Sequence, residues 1–377
     1  MELVVRPYEP RDIEGFWRVG DLTYNSGQTT PLENRTFKNR RGFVGELDGE
    51  VLGIFSVVDF TCNRGPDTVL KCAGIAGVAV SPAHRHLGVG SKMMAWAIPH
   101  LKAEGYQMAS LYGFRESFYR KAGYEVCGLR LELTVPSHRF PRVKPNFPVR
   151  TLAWTEHAQL QACHEAFAAR YSGMNIRTDA HWGRVLDDKK TIYAVGDPVE
   201  AYAIVQHDWD FWVNQRINEV AWSTITGYES LVAVLSQISI NKTSLTWYEP
   251  SDSPFLQMYT DQGITATSMR PIMYRLLDVP GAFQALRPTQ SGAFSMEVSD
   301  PLIPENNGPW RFESDGQSVN CSRVDSADLT GTIQQWTQAY LGDPGIERGP
   351  IQEREAGALS AACRLLSPSR TYCMEFF

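Results

Sequence analysis

Gly77-Val78-Ala79-Val80-Ser81-Pro82-Ala83-His84-Arg85-His86-Leu87-Gly88-Val89-Gly90 is the stretch on which the reading of this chain turns. An apolar, strand-like run ends at Val80, Ser81-Pro82 turns the chain, and a basic loop leads to Gly88 and Gly90, where a helical pattern over 88–104 begins. The first turn of a helix holds backbone N–H groups without intrahelical partners and a partial positive charge, so it suits a pyrophosphate. Glycine at 88 and 90 lets such a group come close, because no Cβ stands in the way. Arg85, flanked by His84 and His86, adds positive potential. Strand, Arg-x-x-Gly-x-Gly and helix in that order say much more than a bare Gly-x-Gly.

About 30 residues further on, the strand-like run 107–112 precedes Ser117-Phe118-Tyr119-Arg120-Lys121-Ala122-Gly123-Tyr124. The spacing predicts a helix over 114–121 that is capped at Gly123. Phe118 and Tyr124 read as core aromatics. The two segments together resemble the GNAT acyltransferases, which hold acetyl-CoA on such a loop. That resemblance implies that Tyr119 is the hydrogen-bond donor to the departing sulfur.

Composition narrows the remaining possibilities. A chain of 377 residues is too long for one core and calls for two or three domains. Apolar content of 43% and charged content of 21% are those of an ordinary globular protein. A net charge of −6 argues against a nucleic-acid partner, which needs a clustered basic face. Seven scattered cysteines without a C-x-x-C pair argue against a disulfide framework and against a zinc site. The first residues read as a strand rather than a signal peptide, and no apolar run reaches membrane-spanning length, so a cytoplasmic location is expected.

Along the chain, 3–6 reads as a strand and 12–24 as a helix with Ile13, Phe16, Trp17 and Leu22 inward. Segments 42–47 and 51–60 read as a hairpin around Asp48-Gly49, and 70–80 as the strand before the phosphate loop. Prolines 136, 141, 145 and 148 mark 135–148 as a connector. A second run of strands and helices follows, with helices at 157–170 and 228–238, strands at 191–195, 201–206 and 217–223, and a last segment at 257–263. Where its phosphate loop should stand, Thr224-Ile225-Thr226-Gly227-Tyr228-Glu229 has one glycine and no basic residue. The third part holds strands at 294–298, 310–313 and 318–323 and helices at 329–340 and 355–366, a small α+β pattern.

The whole chain resembles the Eis (enhanced intracellular survival) family of acetyltransferases. The matching features are the N-terminal motifs, Leu277-Asp278-Val279, Val298-Ser299-Asp300-Pro301, and the aromatic end Tyr372-Cys373-Met374-Glu375-Phe376-Phe377. The resemblance implies an α/β (α+β) fold class: tandem GNAT folds with mixed central sheets flanked by helices, plus a sterol-carrier-protein-like α+β domain. The implied boundaries are 1–137 for the catalytic domain, 138–276 for a degenerate GNAT-like domain and 277–377 for the third. By the same resemblance Val78, Ala79 and Val80 pair with the pantetheine arm. Arg85, His86, Leu87, Gly88, Val89, Gly90 and Ser91 form the phosphate loop, and Phe114 and Arg115 lie beside the cofactor. His86 and Ser91 stand where many members carry arginine, which leaves Arg85 as the strong anion donor. The family also implies that the free α-carboxylate of Phe377 returns to the first domain's active site and takes part in catalysis. Packing of an apolar tail is the alternative use of these residues.

The chemistry so implied is direct transfer of an acetyl or other acyl group from acyl-CoA to a primary amine, with no metal. The acceptor is an aminoglycoside or polyamine, or a lysine or ornithine side chain. Phe16, Trp17, Tyr24 and Phe37 either line its pocket or pack the core. The resemblance also implies a closed, symmetric homo-oligomer, such as a hexamer. The alternative function is a non-enzymatic CoA- or lipid-binding protein that uses the sterol-carrier-like domain.

Overall fold

The computed structural model describes residues 3–259, 263–270, 272–366 and 369–377. β1 (Val4–Pro7) pairs antiparallel with β2 (Arg41–Leu47), and β2 with β3 (Glu50–Asn63). Asp48 and Gly49 turn the chain between them at φ of 54° and 82°, the twist that suits a tight hairpin. β4 (Val69–Val80) runs antiparallel to β3, and β5 (Met108–Tyr112) runs parallel to β4. α1 (Ile13–Tyr24) buries Phe16 and Val19 against Val44, Val51 and Ile54. α2 (Val89–Ala103) buries Met93, Met94, Ala97, Ile98 and Leu101 in a core shared with Phe43 and Phe55. α3 (Glu116–Arg120) and β6 (Glu125–Val126) end this stretch.

The chain then leaves for a second unit, which comprises the described residues of 128–270 together with 370–376. Its elements are β7 (Arg130–Pro136), β8 (Val149–Leu152), α4 (Gln161–Ala168), β9 (Tyr171–Ser172), α5 (Asp179–Val185), β10 (Thr191–Val195) and β11 (Ala201–Val205). β12 (Asn214–Arg216), β13 (Glu219–Trp222), α6 (Ile225–Ile238), β14 (Ser244–Pro250), α7 (Pro254–Met258) and β15 (Thr265–Met269) follow. They form one sheet in the order β13-β11-β10-β8 and another in the order β12-β14-β7-β15. β7 therefore sits between β14 and β15, with Leu131, Leu133 and Val135 buried at every second position.

β16 (Ile272–Leu276) returns to the first unit and fills the place between β5 and β6, giving the order β1-β2-β3-β4-β5-β16-β6. The third part, α8 (Val279–Ala285), β17 (Ser291–Ser299), β18 (Gly308–Asp315), β19 (Val319–Arg323), β20 (Leu329–Thr332), α9 (Ile333–Leu341), β21 (Gln352–Glu353) and α10 (Ala358–Leu366), belongs to this first unit, as does Phe377. Its sheet has the order β19-β18-β17-β20-β21. β22 (Arg370–Thr371) pairs with β9 in the second unit, where Tyr372 packs on Phe167 and Tyr171. There the buried Arg177 bridges Glu219 and Glu375, at 2.7 Å to each.

All five residues of β16 are buried, and one of them is charged. Arg275 Nη2 donates to both oxygens of Asp300, at 2.7 and 2.9 Å, and Asp300 also accepts from the backbone N–H groups of Leu302 and Ile303 and from Asn306 Nδ2. The loop after β17 thus neutralises a cation in the middle of the sheet.

Several elements depart from their expected form. Leu22, expected inward, is 48% exposed; the buried face of α1 runs through Phe16, Val19 and Asp21, whose carboxylate accepts from Thr30. The helix expected over 329–340 divides into β20 and α9, because Thr332 and Gln335 cap one another and start the helix at Ile333. The end of the connector's predecessor, 130–136, is a paired strand of the second unit, and 272–276 is a strand of the first. Of the segment 257–263, residues 260–262 lie outside the described residues, as do Met1 and Glu2 at the start of the first strand. Asp300→Ala should cost about 3–5 kcal/mol by leaving the buried Arg275 charge without its partner, as read by chemical denaturation.

Candidate active site

The site begins with a fault in a strand. β3 and β4 shift register between Ile54 and Ser56: Ile54 faces Ala79 and Ser56 faces Ala76, so Phe55 lies opposite both Gly77 and Val78. Gly77 takes φ +60° there, which a glycine accepts without strain. On its other side β4 pairs with β5 only from Cys72 to Ile75, opposite Met108 to Leu111. Beyond Ile75 the two parallel strands part. The backbone of Val78, Ala79 and Val80 is left with β3 on one side and no strand on the other, and an extended ligand with amide groups can pair there.

Straight ahead of that opening, residues Pro82–Leu87 make a 3-10 turn and Gly88, at φ +71°, turns the chain into α2. No side chain caps this helix, so its first N–H groups face outward. Arg85, His86, Leu87 and Ser91 are exposed around it, while Val89 is buried in the core. Gly90 is buried too: a Cβ there would lie 3.2 Å from the Phe118 ring and 3.4 Å from Val80. The loop therefore combines an uncapped helix N-terminus, a guanidinium and a bare backbone, a combination that binds phosphates.

Tyr119 is 2% exposed, with its ring edge-on to Phe118 at 4.9 Å and to Phe114 at 5.9 Å. Burial pushes its phenol above the usual tyrosine range, and the phenol of Tyr24 is near enough to add to the rise. A phenol so shifted stays protonated at neutral pH and can donate a hydrogen bond. Phe114, 76% exposed, and the exposed Arg115 stand at the rim. Phe118 and Tyr124 pack as core aromatics, as expected. Phe16, Trp17 and Phe37 cluster with Tyr8 and take the packing role.

Three residues at the opening, Phe60, Gly74 and Tyr112, were not singled out in the sequence, and Tyr24, read there as lining the acceptor pocket or packing the core, also stands at it. Tyr24 donates its hydroxyl to the Val78 carbonyl at 2.7 Å. The Phe377 ring lies 5.0 Å from that of Phe60 and 5.5 Å from that of Tyr112. Gly74 makes room for both phenylalanines, since a Cβ there would come within 2.4 Å of Phe60 and 3.0 Å of Phe377. The run of small residues around Gly74 was the available signal; the partners lie too far off in sequence to be read.

The second unit lacks this constellation for a visible reason. Thr224 caps α6 through the Gly227 N–H, and the hydroxyls of Ser223 and Thr224 donate to the Glu200 carboxylate at 3.2 and 2.8 Å. A Cβ on Gly227 would be 2.7 Å from the Glu200 carbonyl. A capped helix with a carboxylate in front repels a phosphate.

Comparison with known proteins agrees with this geometry. Profiles described as acetyltransferase (GNAT) domain match residues 4–127 and 173–276, and a sterol carrier protein domain matches 279–374. N-acetyltransferase Eis from Mycobacterium bovis (BCG Pasteur) and from Mycobacterium tuberculosis (H37Ra) are each 28% identical over 88% of this chain and 84% of their own. An N-acetyltransferase from Streptomyces coelicolor is 25% identical over 85% of this chain and 84% of its own. Two solved structures share the fold over 100% of both chains at 18% identity: a probable N-acyltransferase from Enterococcus faecalis, TM-score 0.89, and Eis1 from Mycobacterium abscessus, TM-score 0.80. Two GNAT domains, the first with an open cofactor cleft, make this chain an N-acetyltransferase of the GNAT class, with acetyl-CoA as co-substrate. A sterol carrier protein domain follows them, and over most of its length the chain is similar to the Eis N-acetyltransferases.

Gly88→Ala tests the loop. A Cβ would meet nothing within 4 Å, but the positive φ costs about 1–2 kcal/mol. The loop should rearrange and acetyl-CoA affinity fall roughly tenfold by calorimetric titration, with the thermal midpoint nearly unchanged.

Proposed function

We propose that this protein transfers an acetyl or related acyl group directly from acyl-CoA to a primary amine, and that Tyr119 and the C-terminal residues serve the reaction. The observation that carries this reading is the parting of β4 from β5 in front of the uncapped N-terminus of α2. Val78, Ala79 and Val80 would pair with the pantetheine arm, and a backbone N–H among them would polarise the thioester carbonyl. Residues 85–91 would hold the pyrophosphate, with Phe114 and Arg115 at the edge of the cofactor channel. As the amine nitrogen bonds to the acyl carbon, the carbon–sulfur bond breaks. Tyr119, kept neutral by burial, donates a hydrogen bond to the sulfur as its charge develops.

The amine must lose a proton. If the chain ends at Phe377, its α-carboxylate belongs to a residue whose ring packs on Phe60 and Tyr112, at the β5 side of the opening. An ordinary α-carboxylate is a weak base, so its role is to orient the amine and pass the proton on through water. The acceptor class that fits this reaction is an aminoglycoside or polyamine, or a lysine or ornithine side chain. We further propose that the protein works as a homo-oligomer in the cytoplasm; no helix among the described residues is long and apolar enough to cross a membrane. A non-catalytic CoA- or lipid-binding role gains nothing from a neutral phenol buried at the cleft.

Tyr119→Phe should lower kcat by about 10²-fold while the dissociation constant of acetyl-CoA stays the same. Because burial raises the Tyr119 pKa, the donor form persists as pH rises, and wild-type kcat should not fall between about pH 8.5 and pH 10. An extra glycine after Phe377 should abolish transfer without loss of acetyl-CoA binding, since it displaces the carboxylate by about 3.5 Å. Full activity in the extended protein would reduce the tail to packing.

A further inference from the structure

The loop between β11 and β12 in the second unit has no part in the chemistry above. Trp209, Phe211 and Trp212 are 86%, 65% and 71% exposed, three large aromatic rings within four residues. Ile240, 67% exposed, lies on the turn that this loop is bonded to. Together the three rings leave on the order of 500 Å² in water, near the upper end of what monomers expose in one patch.

The loop is held rather than slack. Lys242 is 4% exposed, and its ammonium donates to the backbone carbonyls of Asp208 and Asp210 at 2.6 and 2.5 Å. The Trp212 N–H donates to the Asn241 carbonyl at 2.9 Å, with Trp212 at φ +60°, a conformation that a bulky side chain rarely takes. The Asp208 N–H donates to Gln215 Oε1, and Gln215 Nε2 to the Gln206 carbonyl. A buried cation and a residue at positive φ thus hold the backbone that carries the exposed aromatic rings. Such fixed aromatic anchors lose little entropy when they dock.

A hollow adjoins this knob. A cavity of about 640 Å³ is lined by Val143, Pro145, Tyr193, Val234 and Ile238, and His207, Asp208, Asn241 and Lys242 at the base of the loop complete its wall. It has room for two aromatic side chains, and its lining mixes apolar residues with polar ones that include Lys144 and Gln237. Protrusion and hollow side by side on one surface are complementary to the same surface on another copy. A two-fold axis would seat each knob in the other's hollow, twice the contact of either alone. The aromatic area is the size expected for the centre of a standard interface of about 800 Å² per partner. Asp208 and Asp210, set among the rings, disfavour an anionic lipid surface.

We infer that residues 207–213 and the adjoining hollow form an interface between two copies of this chain. The inference rests on the homo-oligomer proposed above and assigns it a surface. Its test compares by light scattering at micromolar concentration the wild type, the variant Trp209→Ser/Phe211→Ser/Trp212→Ser, and Gln237→Trp, which fills the hollow from an exposed position on α6. Wild type should have a mass of at least twice 42.3 kDa, and each variant should drop to at most half of the wild-type mass while keeping the wild-type circular dichroism spectrum. Variants that keep the wild-type oligomeric mass would overturn this interface and leave the oligomer standing. A wild type of 42.3 kDa would overturn both. Phosphatidylcholine vesicles that blue-shift the tryptophan emission of wild type but not of the triple variant would assign the patch to lipid and overturn the inference.

Discussion

Backbone hydrogen bonding between β4 and β5 stops at Ile75 and Leu111, and the rest of the site depends on that stop. Had the strands stayed paired, residues 78–80 would have no free edge. The Gly77 bulge bends β4 on its β3 side, so the departure from β5 is built into the strand rather than imposed by a ligand. Tyr24 braces the same segment by its bond to the Val78 carbonyl. Tyr119 is carried to the opening by α3, and β16 supports β5 from the far side.

The two GNAT copies show what the fold alone does not supply. Each has a helix following the fourth-strand position, but α2 begins at a glycine with an exposed arginine beside it, whereas α6 begins at its own threonine cap facing Glu200. Anion binding needs the N–H groups left over, and the second copy uses them internally. What the second copy has instead is a dense core and the buried Arg177, whose guanidinium pairs with both Glu219 and Glu375. Removing Arg177 would leave two buried carboxylates without their cation, so that position resists change.

Arg85 to Gly90 and Tyr119 could be picked out as candidates because each belongs to a local feature: a turn, a helix start, a helix face. The tandem fold was legible because its strands and helices recur in the same order. Phe60, Gly74 and Tyr112 were not, nor was the bond from Tyr24 to Val78, since these residues meet only through sheet register and across tens of residues. Nor was the exchange of β7 and β16, because an alternating or fully buried strand suits either sheet equally well. Arg275 in a fully buried strand was silent until Asp300 was placed next to it.

Amide hydrogen exchange with and without acetyl-CoA tests the central claim most directly. The account predicts that backbone amides within residues 76–80 slow markedly when acetyl-CoA is added, while those of β13, residues 219–222, stay unchanged. Equal exchange at 76–80 with and without acetyl-CoA, under conditions where calorimetry shows it bound, would contradict the account.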